Sequence, residues 1–290
     1  MLKNKIIMLM ISAVIFGLIG INFSIAKDKK EKTPKGLKTK TNISYNVIEK
    51  FGATKNVLNL KYISLYDEKG NETDKSGYDI EDKLKIKWVY KYDYKNNQIE
   101  SAEYDADGNL KEKLLYKYDD KANQINDEKY DTEGKLLIKG HYKYDDKGNK
   151  TEFIRYKADS KLDEKWFYKY DDKGNRTEAS HYNADAKLDR KISYKYDDKG
   201  NQIEASEYNA DGKLDRRATY KYDEKNNTIE ESLFDADKKL SKKIYFKYNE
   251  KGLGIEKNTY DVKERFGKIE EILVGNDIYQ YEFYPEATPK

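Results

Sequence analysis

Apolar and polar side chains alternate with period two along most of this chain, and the alternation restarts every 26 residues. In the stretch Leu188–Tyr196, Leu188, Ile192, Tyr194 and Tyr196 share one parity, and Asp189, Lys191, Ser193 and Lys195 share the other. Leu110, Leu114, Tyr116 and Tyr118 repeat the arrangement opposite Lys111, Lys113 and Lys117. Such a pattern predicts half-exposed β-strands. A shorter strand in each unit carries a β-branched column, Thr73, Ile99, Ile125, Thr151, Thr177, Ile203, Ile229 and Ile255, suited to a pleated surface. Nowhere in the repeat do apolar residues recur at the spacing of an amphipathic helix. The register is marked by Tyr66, Tyr92, Tyr118, Tyr144, Tyr170, Tyr196, Tyr222 and Tyr248.

Two turns punctuate each unit. The first reads Asp-Asp-Lys-Gly-Asn, as in 145–149, and its glycine position holds Gly70, Asn96, Ala122, Gly148, Gly174, Gly200, Asn226 and Gly252. Gly and Asn tolerate a left-handed backbone. The second reads Asn/Asp-Ala-Asp-Gly, as in 209–212. Both suit a type I turn followed by a left-handed residue. Ser160, Ala186 and Lys238 replace the second glycine. Keeping left-handed geometry there costs roughly 1 kcal/mol each, so looser second turns are expected.

Two strands and two tight turns per unit, over eight units, predict an all-β protein of about sixteen antiparallel strands stabilised between neighbouring units. The expected form is an open meander or superhelical sheet, extended by roughly 75 Å at ~4.8 Å per strand. A small four-bladed β-propeller is the alternative. The chain then divides into residues 1–26, a basic linker 27–43, an N-terminal cap 44–63, repeats 64–271 and a C-terminal cap with tail 272–290. The caps are expected to cover open sheet edges. Ser64, Asp74, Asn249 and Leu253 depart from the repeat and fit capping units.

The N-terminus changes the setting. Lys3 and Lys5 precede an apolar run, 6–21, and Ser24-Ile25-Ala26 offers small residues for cleavage after Ala26. The run is short of the ~20 residues that span a bilayer, so a cleaved signal, export and no stable membrane insertion are expected. The protein has no cysteine, so no disulfide and no lipid-anchored cysteine. Removing residues 1–26 takes away two lysines and no acid, leaving 55 basic against 54 acidic side chains. That balance argues against nucleic acid as a partner. Lys27–Lys40 holds seven lysines and no apolar pattern and reads as a solvated, disordered spacer.

Little in the residues points to catalysis. His141 and His181 occupy different places in the unit and read as exposed strand residues. The acidic turns lack the ligand spacing of a calcium loop. No nucleophile triad, phosphate loop or metal cluster emerges, so no cofactor and no enzymatic activity are expected. The remaining feature is aromatic: Trp88, Tyr92, Tyr118, Tyr144, Trp166, Tyr170, Tyr196 and Tyr222 share one face and form a candidate ligand platform, against the simpler reading that the rings pack on one another.

The core Tyr-x-Tyr-Asp-x-x-Gly-Asn, as in 168–175, resembles the YD repeats of bacterial Rhs and wall-associated proteins and, more distantly, of teneurins. A weaker resemblance is to MORN-like hairpin repeats. The YD resemblance covers roughly residues 62–270 and implies coiled β-hairpins, export and, in many members, carbohydrate binding or toxin delivery. Asn follows the turn glycine where the family usually has Arg, and the chain carries no toxin domain. The expectation is an exported, non-enzymatic protein that binds or scaffolds at the bacterial envelope, with a glycan or a surface protein as partner. A purely structural surface protein and a polysaccharide hydrolase are the competing classes.

Overall fold

The computed structural model describes residues 33–50, 53–265 and 267–285. It is all β. The strands are β1 (Leu37–Lys50), β2 (Ala53–Tyr66), β3 (Glu72–Tyr78), β4 (Leu84–Tyr92), β5 (Gln98–Asp105), β6 (Leu110–Tyr118), β7 (Gln124–Tyr130), β8 (Leu136–Tyr144) and β9 (Lys150–Lys157). The second half continues with β10 (Leu162–Tyr170), β11 (Arg176–Tyr182), β12 (Leu188–Tyr196), β13 (Gln202–Asn209), β14 (Leu214–Tyr222), β15 (Thr228–Phe234), β16 (Leu240–Tyr248), β17 (Gly254–Arg265) and β18 (Lys268–Phe283).

Each strand pairs antiparallel with the next, and β18 pairs with β1 from Leu37↔Phe283 to Asn46↔Gly275. The sheet is therefore a closed 18-stranded barrel, neither an open meander nor a propeller. The segments expected to cap two open edges are the strands that join them: β1 and β18 satisfy each other's backbone groups, the most complete way to remove an exposed edge. The linker expected over 27–43 also gives way, since β1 starts at Leu37. The expected signal segment lies outside the described residues.

Bulges recur once in every strand pairing of the repeat and sort the columns between the two faces. Between Leu188 and Arg190 the register shifts, so Leu188 stands opposite Tyr182 while Arg190 stands opposite His181. Leu188 is consequently exposed and Ile192 buried, although the alternation put them on one face. The second bulge, between Lys195 and Tyr196, leaves Ile203 unpaired and exposed.

The outer face carries a ladder of ion pairs: Lys91–Glu100, Lys143–Glu152, Lys169–Glu178, Lys195–Glu204, Lys221–Glu230 and Lys247–Glu256, each near 3 Å. The inner face carries the Tyr-x-Tyr columns. Ala179, Ile192, Ala205 and Ala218 are buried there beneath Trp166, Tyr168, Tyr194 and Tyr220. Small residues on one strand make room for rings from its neighbours, which is how the curved wall packs.

Both turns are of the expected kind. In the first, Asp145 N donates to the Asn149 carbonyl at 2.9 Å, and Asp145 Oδ1 accepts from the amides of Lys147 and Asn149. Asn149 Nδ2 donates to Asp145 Oδ2 at 2.9 Å, which gives the Asn after the glycine its purpose. In the second, Ser160, Ala186 and Lys238 sit at φ +64°, +58° and +63°. The turns are thus not loosened, because the hydrogen bonds Ser160 N→Lys157 O and Ala186 N→Asn183 O, both 2.9 Å, hold them in the left-handed form.

Candidate functional site

Closure brings residues that are distant in the chain around one cavity of about 1060 Å³, at the barrel end formed by the first turns. Tyr66, Tyr92, Tyr116 and Tyr118 reach it from one side, and Phe246, Tyr248, Tyr279 and Tyr281 from the other. Amides lie between the rings, among them Asn71, Asn96, Gln98, Gln124 and Asn227. Lys40, Glu72 and Glu256 complete the lining as charged groups, and Glu256 is already paired with Lys247 at 2.8 Å.

One column contributes residues both to the cavity and to the packed wall. Its members are Glu72, Gln98, Gln124, Lys150, Arg176, Gln202, Thr228 and Gly254, each opening the short strand of its unit. Lys150 lies over the rings of Tyr142 and Tyr168, Arg176 over Tyr168 and Tyr194, and Gln202 is fully buried. These three do not line the cavity, whereas Glu72, Gln98, Gln124, Thr228 and Gly254 do. Lys150 and Arg176 are thus taken up by the wall rings and Gln202 by burial, while Thr228 and Gly254 are small residues on the cavity lining.

The tyrosine column is held in place by a repeated hydrogen bond. Tyr92 Oη donates to the Glu72 carbonyl, Tyr118 to Gln98, Tyr144 to Gln124, Tyr170 to Lys150, Tyr196 to Arg176, Tyr222 to Gln202 and Tyr248 to Thr228, all at 2.7–2.8 Å. This explains Tyr rather than Phe at the invariant position of the repeat. Burial pushes the Tyr92 phenol up to about 12, with the Glu72 and Asp67 charges adding to it. Burial likewise raises Tyr90, Tyr116, Tyr118 and Tyr220. Every one of these phenols is a neutral hydrogen-bonding group near neutral pH.

All eight residues of the aromatic platform therefore lie on the inner wall, but only Tyr92 and Tyr118 line the cavity. Trp88 is 2% exposed and donates Nε1–H to Glu103 Oε2 at 3.0 Å. Trp166 packs against His181 with ring centroids 4.6 Å apart. Tyr144, Tyr170, Tyr196 and Tyr222 serve the wall. Phe246, Leu253, Tyr279 and Tyr281, absent from that platform, line the cavity with them. Phe246 and Leu253 are departures from the repeat, and such departures are the signal that could have singled them out.

At the other end the inner wall is ionic. Arg155 meets Asp163 at 2.7 Å and Glu164 at 3.0 Å, and Glu164 Oε2 meets His181 Nε2 at 3.0 Å. His181 Nδ1 meets Asp189 Oδ2 at 2.9 Å, and buried Glu207 accepts from Arg216 Nε at 2.5 Å. His181 is thus buried in a chain of charges, not exposed on a strand as its lone position suggested. His141 does stand on the outer wall, half-buried beside Asn126 and the Tyr156 ring. Among the described residues no group of three or more His, Cys, Asp or Glu is arranged to hold a metal ion.

No family model matches the chain, and no curated protein matches it. Among solved structures, a porin-like protein from Bacteroides uniformis ATCC 8492 aligns at TM-score 0.47 and 12% identity, covering 87% of this chain and 99% of its own. A DUF1329 family protein from Desulfovibrio piger ATCC 29098 aligns at TM-score 0.27 and 8% identity, covering 87% and 88%. The TcdB2-TccC3-Cdc42 complex aligns at TM-score 0.21 and 12% identity, covering 84% of this chain and 18% of the matched chain. Closure of the barrel is read from its own strand pairing.

Proposed function

We propose that this is an exported, non-enzymatic binding protein of the bacterial envelope that takes a saccharide into the mouth of its barrel. The observation that carries this reading is the meeting of Tyr92 and Tyr118 with Phe246, Tyr248, Tyr279 and Tyr281 around one cavity studded with side-chain amides. Rings offer flat apolar faces with polar tips, and amides both donate and accept, which suits the alternating C–H and O–H surfaces of a sugar. The apolar run at 6–21 and the small residues ending at Ala26 support export.

The outer ion-pair ladder supports an aqueous location. A barrel embedded in lipid needs an outward apolar band about 25 Å tall, and charges at mid-membrane cost about 2–4 kcal/mol each. Here Lys91–Glu100 and its counterparts encircle much of the wall at the level of the tyrosine column. The protein accordingly works in the periplasm or outside the cell, with no stable membrane insertion. The test is a glycan array probed with the purified exported chain, then calorimetry on the best ligand with Tyr118→Ala and Phe246→Ala. Binding weakened by both variants supports the lumen site. Glycan binding that survives both, or none to any glycan, contradicts it.

A further inference from the structure

Within that reading, we propose that the cavity selects an acidic sugar, with the ring against the β16 and β18 aromatics and its carboxylate on Lys40. The inner wall pairs most of its charges: Glu112 with Lys129, Glu164 with Arg155, Glu207 with Arg216, and Asp277 with Lys257. Lys40 is different. Its Nζ lies 5.3 Å from the ring centroid of Tyr279 and 5.9 Å from that of Tyr281, and no carboxylate among the described residues lies within ion-pair distance. Two aromatic faces hold the ammonium at the cavity wall and leave its hydrogen-bonding capacity for a guest.

Glu72 fixes the orientation. It stands on the β3 wall beside Tyr92, so a guest carboxylate is repelled there and attracted toward β1. The space for the sugar ring comes from Gly254. This glycine is not in the left-handed region, and a Cβ there would meet nothing closer than Tyr248 Cε1 at 3.7 Å. The backbone does not require glycine at 254; the open lumen does. The same column position carries Lys150 and Arg176 where the side chains lie over the rings of the wall.

The test is calorimetry on the exported chain with disaccharides of glucuronic, galacturonic and mannuronic acid, each beside its neutral methyl ester. At least one acid is expected to bind about 10-fold or more tightly than its ester, the difference made by one charge-assisted contact. Lys40→Met keeps the aliphatic stem between the rings and should remove that difference by weakening the acid far more than the ester. Gly254→Gln should abolish binding of both forms with an unchanged thermal midpoint. Acid and ester binding equally, or a preference that survives Lys40→Met, overturns the proposal. Neutral glycans binding while no uronide does overturns it and leaves the saccharide reading standing. No binding of any saccharide removes both.

Discussion

Gly140 stands directly across from Asp127 in the β7–β8 pairing, and a Cβ on Gly140 would lie 2.6 Å from Asp127 Oδ2. The glycine is there to admit a carboxylate. Oδ2 also accepts from the Tyr142 hydroxyl, while Oδ1 is buried without a partner. Gly140→Ala should therefore cost about 1–3 kcal/mol, the range for overpacking, measured by urea unfolding. Gly140→Ala combined with Asp127→Ala should recover part of that loss.

Burial raises the Asp127 pKa above its ordinary 3.8, against the opposing pull of Tyr142 and Arg155. The folded state then holds this proton more tightly than the unfolded state. Its favourable contribution is complete below the unfolded pKa and is lost as pH rises through the folded one. At pH 7 the buried charge is a burden, so Asp127→Asn should raise unfolding stability there and bring no gain at pH 3. An equal effect at both pH values would count against this assignment.

The turn aspartates act with the opposite sign. Asn side-chain and backbone hydrogen bonds hold Asp119, Asp145 and Asp223 below their ordinary 3.8. Their contribution is present above the unfolded pKa and is lost as pH falls through the lowered folded values. Stability followed by denaturant titration should decline below about pH 4, where carboxylates protonate. Asn149→Ala should weaken the acid dependence by removing the strongest partner of Asp145.

Four second turns, at Asp82, Ser160, Ala186 and Lys238, keep a strained residue. Ala186 and Lys238 hold φ +58° and +63° in turns where Gly108 and Gly212 hold φ +83° and +77°. Ala186→Gly and Lys238→Gly should each stabilise the protein by about 1 kcal/mol, offset in part by the greater freedom of glycine in the unfolded chain. The two sites are separated by several strands, so the double variant should show the sum.

The repeat, its strands and its turns were legible because each is a local pattern. Tyr66 to Tyr248 marked the register, and Asp-Asp-Lys-Gly-Asn marked the turns. Closure was not legible, because a strand carries the same alternation whether its edge is free or paired. Only the agreement in register between 37–46 and 275–283 distinguishes a barrel from a meander. The bulge at Asp189 also escaped the alternation, which is why Leu188 and Ile192 part company. The cavity was hidden for a third reason: its lining joins Tyr92 and Tyr118 to Phe246, Tyr248, Tyr279 and Tyr281, which come together only once β1 and β18 close the wall.

All of this depends on β1 meeting β18, and the absence of cysteine makes that directly measurable. Thr41 and Gln280 are cross-strand partners at the seam. In the Thr41→Cys, Gln280→Cys variant, mild oxidation should form an intramolecular disulfide in the folded monomer, seen as a loss of both thiols at unchanged oligomeric state. Paired strands bring Cβ atoms within about 4.5–5.5 Å, near enough for the bond to form with a small adjustment. A control pair, Thr41→Cys with Lys169→Cys on a distant strand, should stay reduced under the same conditions. If the seam pair stays reduced as well, or cross-links only between molecules, the barrel is open and the lumen site does not exist.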